Sequence, residues 1–278
     1  MQKLFLFFML MITATSLFAQ KEMAACCPSS DQFASLANDK SFLMSHDAPL
    51  AFIYHSDNGK DITFKTADGT DAHAWVVKAS KPTDYYIIVV HEWWGLNDYI
   101  KQETEKLSND LGVNAIAIDL YDNKVAATPE EAGKLTQSVK AERAMNIING
   151  AYNYAGSKSK VFTIGWCFGG GWSLQAALLG GSNAVGCIMY YGMPETDISK
   201  LKTLHCDVIG FFGNKDKWIT PTVVDEFKEN MKQAGKKVTT YEYDADHAFA
   251  NPSSANNNKD ATADAYAKTL AFVKERMK

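Results

Sequence analysis

The chain has 278 residues, 46% of them hydrophobic and 22% charged, the composition of a globular protein able to bury a large core. Its formal net charge of -4 argues against nucleic acid as the main partner. Of the 28 basic residues only Arg143 and Arg276 are arginine, which restricts where a planar, bidentate anion clamp could be built.

Lys3 precedes an unbroken apolar run over residues 4–12, and the small residue Ala19 stands before Gln20. A charged start, a short apolar core and a small residue at its end predict a signal peptide over residues 1–19. The run is too short for a comfortable transmembrane helix and no other segment could span a bilayer, so no stable membrane insertion is expected. The protein is therefore read as exported, periplasmic or secreted, with a membrane tether or a lipid anchor on Cys26 as the minor alternative. Cys26, Cys27, Cys167, Cys187 and Cys206 remain after cleavage, and an odd count leaves at least one free or paired between chains. Cys187 and Cys206 sit in apolar runs and read as core residues.

Residues 20–58 are polar and weakly patterned, with one short helical piece near residues 31–37, and read as a tail or an edge-covering extension. Two β-rich runs, residues 61–65 and 71–77, flank an Asp68-Gly69 turn and predict an antiparallel hairpin. From there strands and helices alternate. Strands are expected at 85–90, 113–120, 161–165, 185–190, 207–212 and 237–243. Helices are expected at 98–111, with Asp98 as cap and Gly112 as stop, and as one long piece from Thr128-Pro129 to Asn153. Further helices are expected at 169–179, from Thr220-Pro221 to Ala234, and over 261–277, with a short crossover at 197–204. Such alternation implies a mainly parallel sheet covered on both faces, with ligand sites beyond the carboxyl ends of its strands.

Three strand ends carry distinctive chemistry. Gly165-Trp166-Cys167-Phe168-Gly169 is a glycine-x-nucleophile-x-glycine elbow, with cysteine at the nucleophile position. The turn thrusts Cys167 outward and sets the Phe168 N–H at a helix N-terminus, where it can face developing negative charge. A thiol is activated by a histidine oriented by a carboxylate, and the order nucleophile, acid, base is met by Cys167, Asp216 and His247. Asp244 and Asp246 are rival partners for His247. The other histidines outside the strand ends, His46, His55, His73 and His205, read as structural or solvated.

The segment His91-Glu92-Trp93-Trp94-Gly95 follows a strand and lacks the second histidine of a zinc helix. Its loop is where a second oxyanion donor lies in elbow hydrolases, making the Trp93 N–H the candidate. Glu92 is an acid among aromatics, which should raise its pKa, and it could hold the thiol inactive or accept its proton.

These segments, together with Asp119-Leu120-Tyr121, Gly213-Asn214-Lys215-Asp216 and Asp246-His247-Ala248-Phe249, resemble the dienelactone hydrolases over residues 60–278. The resemblance implies the α/β-hydrolase fold: a mainly parallel sheet with helices on both faces and an antiparallel N-terminal hairpin. It implies a triad of Cys167, His247 and Asp216, and a Glu92 that interacts with the resting thiol and releases it when substrate arrives. It also implies hydrolysis of an enol-lactone or related ester through an acyl-enzyme, without metal or organic cofactor. One feature departs from the family. Its arginines that grip a substrate carboxylate are replaced by Asp122-Asn123-Lys124 and by Ala250-Asn251, so no bidentate clamp is expected.

The expected organisation is a signal peptide (1–19), a polar extension (20–58) and one α/β-hydrolase domain (59–278). The expected function is exported hydrolysis of a small-molecule ester or lactone, with a monomer favoured. Trp94, Tyr121, Trp166 and Lys124 are the candidate pocket residues, joined by Trp93 and Trp172 as further aromatics. Lys215 and Lys217 are weaker cationic candidates. Two other readings stand beside this one: a ligand-binding protein on a hydrolase scaffold, and a redox thiol at Cys167 resolved by Cys26 or Cys27.

Overall fold

The computed structural model describes residues 28–278. The readings on the signal peptide and on Cys26 and Cys27 lie outside the described residues.

Eight strands form one sheet: β1 (Gly59–Lys65), β2 (Asp71–Val77), β3 (Tyr85–Val90), β4 (Asn114–Ile118), β5 (Lys160–Trp166), β6 (Ala184–Tyr190), β7 (Val208–Gly213) and β8 (Val238–Tyr243). Their spatial order is β1-β2-β4-β3-β5-β6-β7-β8. β1 pairs antiparallel with β2, from Gly59 opposite Val77 to Lys65 opposite Asp71, and β2 pairs antiparallel with β4. Every other neighbour is parallel. The inner strands are apolar runs because both faces are covered: all of β4 and the last four residues of β3 are buried. The edge strand β1 instead alternates half-buried and exposed side chains along most of its length.

The helices are α1 (Pro28–Leu36), α2 (Lys40–Met44), α3 (Asp98–Leu111), α4 (Pro129–Ser138), α5 (Ala141–Ala155), α6 (Phe168–Leu179), α7 (Ile198–Leu201), α8 (Pro221–Gln233) and α9 (Lys259–Arg276). Thr128 and Thr220 cap α4 and α8 with their side chains, each followed by a proline that needs no N–H partner in the first turn. α3 is capped by Asn97 rather than by Asp98, whose carboxylate accepts the Tyr54 N–H instead.

The single helix expected from Thr128 to Asn153 is two. Val139 and Lys140 are extended, and the Ser138 hydroxyl donates to the Leu135 carbonyl, competing with the helical ladder there. The break lets α4 pack on α1 and α2 while α5 packs on α6, β1 and β4.

The polar extension behaves differently from a tail or an edge cover. Asp39 caps α2 by accepting the Ser41 N–H at 2.7 Å, and the Trp218 indole donates to the same carboxylate at 3.3 Å. Phe42 is wholly buried between Trp93 and Trp218, with ring centroids at 5.3 and 5.0 Å, and Phe33 packs on Phe168 at 5.9 Å. Burial of each phenylalanine stabilises this docking by roughly 1.5–3 kcal/mol. The first two helices therefore sit over the carboxyl ends of β3 and β5.

Candidate active site

β5 leads directly into α6 through the elbow. A Cβ on Gly165 would stand 2.0 Å from the Gly169 carbonyl oxygen, and one on Gly169 would stand 2.3 Å from that of Val90. Only glycine permits strand and helix to approach so closely. Cys167 itself has φ 55° and ψ -119°, a strained conformation for a residue with a side chain. Its N–H donates to the Tyr190 carbonyl at 3.0 Å, while the N–H of Phe168, the first residue of α6, is directed at the Cys167 sulfur. Tyr191, just after β6, and Ala248, next to His247 in the loop after β8, also have positive φ.

The loops after β7 and β8 bring two further side chains to this elbow. His247 Nε2 lies 3.2 Å from Cys167 Sγ, and His247 Nδ1 lies 2.6 Å from Asp216 Oδ2. Asp216 Oδ1 accepts the N–H groups of Trp218 and Ile219 at 2.9 and 3.0 Å, which fixes the carboxylate. The rivals are placed elsewhere: Asp244 pairs with Lys215 at 3.0 Å, and Asp246 is exposed. With Nδ1–H donated to Asp216, His247 turns Nε2 toward the Cys167 sulfur, where the two can exchange a proton.

All three groups are buried, and burial sets the direction for the thiol alone. It pushes the Cys167 thiol up, with His247 pulling back only part of the shift. Burial would suppress a charge on His247, but Asp216 and Cys167 together outweigh it and hold the imidazole well above its ordinary range. Burial would raise Asp216, yet His247 and the two loop N–H groups hold it below the usual carboxylate value.

Glu92 follows β3 and is also buried. Burial pushes it up to about 7, against the opposing effects of Tyr191, His247 and Asn251. Its carboxylate accepts the Tyr191 hydroxyl at 3.1 Å and the Asn251 amide. No hydrogen bond joins Glu92 to Cys167 among the described residues, and the carboxylate acts on the thiol through space, raising its pKa. His91 is a structural tie: its Nδ1 donates to the Glu92 carbonyl at 2.6 Å and its Nε2 accepts the Leu120 N–H at 3.1 Å.

The aromatic candidates divide. Trp93 is buried against Phe42 and His46, and its indole N–H has no partner among the described residues. Trp94 is buried behind it at 5.3 Å. Tyr121 packs on His91 and Phe168, with its hydroxyl bound to Thr136 at 2.7 Å. Trp172 packs on Phe168 inside the core. Trp166 faces a cavity of about 460 Å³ that also meets Glu92, Tyr190, Asn251 and Tyr266. Lys124 is exposed and lines neither cavity described here, because its loop turns outward after Asp122 and Asn123, both at positive φ. Lys217 borders a second cavity of about 260 Å³ beside His247, Trp218 and Met44. Both arginines are engaged elsewhere, Arg143 with Asp122 at 2.8 Å and Arg276 with Asp207 at 2.6 Å.

Cys167 lines neither cavity because α2 and the turn after it occupy the space above it. His46, which the sequence reading sets aside as structural or solvated, is buried with Nε2 4.0 Å from Cys167 Sγ. Its ring lies 4.3 Å from Trp93 and 5.4 Å from His247. Sequence reasoning also passes over Phe42, Tyr191 and Asn251. The available signal was the position of Asn251, four residues past His247, where the resembled family carries a substrate-gripping arginine.

A family model described as the dienelactone hydrolase family matches residues 72–277. Carboxymethylenebutenolidase 1 of Cupriavidus pinatubonensis is 26% identical over 230 residues, spanning 78% of this chain and 96% of that protein. The carboxymethylenebutenolidase of a Pseudomonas species is 26% identical over 206 residues, 69% of this chain and 84% of its own. Among solved structures, a dienelactone hydrolase-like promiscuous phosphotriesterase from metagenomic libraries superposes with a TM-score of 0.65 at 19% identity, covering 79% of this chain and 99% of its own. The Pyrococcus furiosus esterase Pf2001 superposes at 0.59 with 14% identity, over 84% of this chain and 100% of that one. At such identities the superpositions speak for the fold alone.

Proposed function

The chain belongs to the dienelactone hydrolase family, and on that premise we propose that it is an exported hydrolase that cleaves a small ester or lactone through the Cys167 thiol. The observation that carries the reading is the continuous relay from Cys167 Sγ through His247 to Asp216, at 3.2 and 2.6 Å. Cys167 gives its proton to His247 Nε2 and its sulfur attacks the carbonyl carbon. The carbonyl oxygen becomes an oxyanion facing the N–H of Phe168 and, on the loop after β3, that of Trp93. Collapse expels the alkoxide or enolate, which takes the proton from His247, and leaves a thioester on Cys167. Water then gives a proton to His247 and its hydroxyl to the acyl carbon; the thiolate leaves and recovers the proton. Asp216 acts through His247, holding its tautomer throughout.

Glu92 is a brake in this scheme: its negative charge beside Cys167 disfavours the thiolate, and its protonation lifts that penalty. The substrate preference follows from the charge inventory. With both arginines in ion pairs elsewhere, no guanidinium reaches the site, so a neutral ester or lactone suits it better than a carboxylate-bearing one. Export rests on Lys3, the apolar run after it and Ala19. Among the described residues no helix is long and apolar enough to cross a membrane.

The test is a panel of aryl esters and lactones on the mature protein, with and without iodoacetamide, and with Cys167→Ala. Turnover should fall by at least about 10³-fold in the variant and disappear on alkylation. Unchanged turnover by Cys167→Ala would remove Cys167 as the nucleophile.

A further inference from the structure

We propose that His46, Cys167 and His247 form a three-ligand site for a thiophilic divalent cation of the Zn²⁺ type, and that occupancy silences the nucleophile. His46 Nε2, Cys167 Sγ and His247 Nε2 all lie within 4.8 Å of one another, and all three residues are buried. Zn–S and Zn–N bonds of about 2.3 and 2.0–2.1 Å in a tetrahedral site set each S···N separation near 3.6 Å. The two observed separations, 3.2 and 4.0 Å, straddle that value. Shifts of a few tenths of an ångström would bring both S···N pairs to that value, and the two Nε2 atoms, within 4.8 Å of each other, would close toward about 3.3 Å.

Orientation favours a metal more than distance does. His46 Nδ1 lies 2.8 Å from the Phe42 carbonyl and must donate to it, which leaves Nε2 as a bare lone pair. His247 Nδ1 donates to Asp216, which does the same on the other side. A carboxylate behind one imidazole and a carbonyl behind the other are the outer contacts that zinc-ligating histidines make. The ring packing of His46 between Phe42 and Trp93 would be served by phenylalanine, its Nδ1–H bond to Phe42 uses only one of its two nitrogens, and the hydrolytic relay is complete without it. The Nε2 atom beside the Cys167 sulfur is thus unexplained by either role.

Charge and softness set the class of ion. A thiolate with Asp216 behind its neighbour balances a charge of +2, and a thiolate with two imidazoles selects Zn²⁺ or a similar ion over Mg²⁺ or Ca²⁺. Binding forms one M–S and two M–N bonds and releases one proton, that of the Cys167–His247 pair, to solvent; nothing is oxidised or reduced. The metal then holds the sulfur lone pair and the His247 Nε2 lone pair together, and both are needed for attack. Metal binding does not require the hydrolase reading; only its inhibitory effect does.

The test titrates Co²⁺ and Zn²⁺ into the mature protein with Cys26 and Cys27 replaced by serine, so that adjacent tail thiols cannot bind the probe. One Co²⁺ per chain should bind with a thiolate-to-cobalt charge-transfer band, competed away by Zn²⁺. His46→Gln should weaken both ions at least tenfold. His46→Phe, which keeps the packing against Trp93, should do the same and guards against a folding artefact. On an aryl ester, Zn²⁺ should inhibit and a chelator restore turnover, while both His46 variants turn over and need at least tenfold more Zn²⁺ for inhibition. Absence of the charge-transfer band, or equal affinities in the parent and both His46 variants, would overturn the site. Full turnover with the site saturated would overturn its inhibitory role. Should the metal-free protein turn over no ester at all, the hydrolase reading fails, and the cobalt spectra still decide the site.

Discussion

Asn251, four residues beyond His247 and where the resembled family would carry a substrate-gripping arginine, donates its side-chain amide to the carboxylate of Glu92. The replacement has two consequences. A guanidinium would have served Glu92 as a counter-ion, whereas an amide offers only a dipole, so burial prevails and the carboxyl is pushed up to about 7. The same exchange removes a positive charge from the cavity that Trp166 and Glu92 share.

Glu92→Gln should raise thiol reactivity in a pH-dependent way. Above about pH 7 wild-type Glu92 is ionised, and its charge raises the Cys167 pKa; glutamine removes that penalty. Well below pH 7 Glu92 is already neutral and the two proteins should agree. Iodoacetamide alkylation of Cys167 at pH 6 and pH 8.5 is the measurement. The variant should react several-fold faster at the higher pH and about equally at the lower. A rate ratio that does not change with pH would mean that Glu92 does not couple to the thiol.

The same substitution should flatten the pH dependence of stability. The folded pKa of Glu92 is about 7 and its ordinary value 4.5. Below about pH 4.5 both states carry the proton and nothing is lost. As pH rises through this window the unfolded chain ionises first, so stability falls, reaching its full loss above about pH 7. A shift of this size corresponds to a cost on the order of 3 kcal/mol. Thermal melts of wild type and Glu92→Gln should therefore diverge between pH 4.5 and 7 in favour of glutamine, by about 2–4 °C per kcal/mol. Parallel melting curves over that range would show that Glu92 does not titrate there.

The fold was legible because its signals are local. The apolar runs of β3 and β4, the Asp68-Gly69 hairpin and the glycines of the elbow each state their own conformation, and strand-end positions then group Cys167, Asp216 and His247. What stayed hidden depends on distant pairing. His46 lies 121 residues before Cys167, and no periodicity in a polar, weakly patterned extension says where its few aromatics will dock. The break between α4 and α5 has no proline or glycine to mark it; it follows from the different surfaces the two halves meet. Lys124 shows the converse: the motif alignment placed it near the pocket, and two left-handed residues just before it turn its loop outward.

Phe42 should control access to the thiol. It is wholly buried, and its ring lies 5.9 Å from that of His247, with α2 closing the space above Cys167. Phe42→Ala removes a buried ring at a cost of about 3–5 kcal/mol. That cost falls first on the docking of α1 and α2, so local opening should increase more than global unfolding. Alkylation of Cys167 is expected to accelerate at least tenfold at unchanged pH, with a smaller effect on the main melting transition. Equal alkylation rates in the two proteins would mean that reagents reach the sulfur by another path.

Asp216→Asn separates orientation of His247 from support of the loop. Asparagine keeps Oδ1, so the N–H groups of Trp218 and Ile219 retain their acceptor. What it presents to His247 Nδ1 is then an N–H donor in place of a carboxylate oxygen. Nδ1 becomes an acceptor, the ring proton moves to Nε2, and Nε2 can no longer take the Cys167 proton. Turnover of an aryl ester should fall by about 10³–10⁴-fold while KM changes little, as expected when a triad histidine is held in the wrong tautomer. The folded-state pKa of Asp216 lies below its ordinary value, so its ionisation stabilises the protein above that value and is lost as pH falls through the lowered one. The variant should consequently lose stability at neutral pH and match wild type in strong acid. A variant with wild-type turnover and only the stability change would reduce Asp216 to a loop cap and leave His247 to work without an orienting carboxylate.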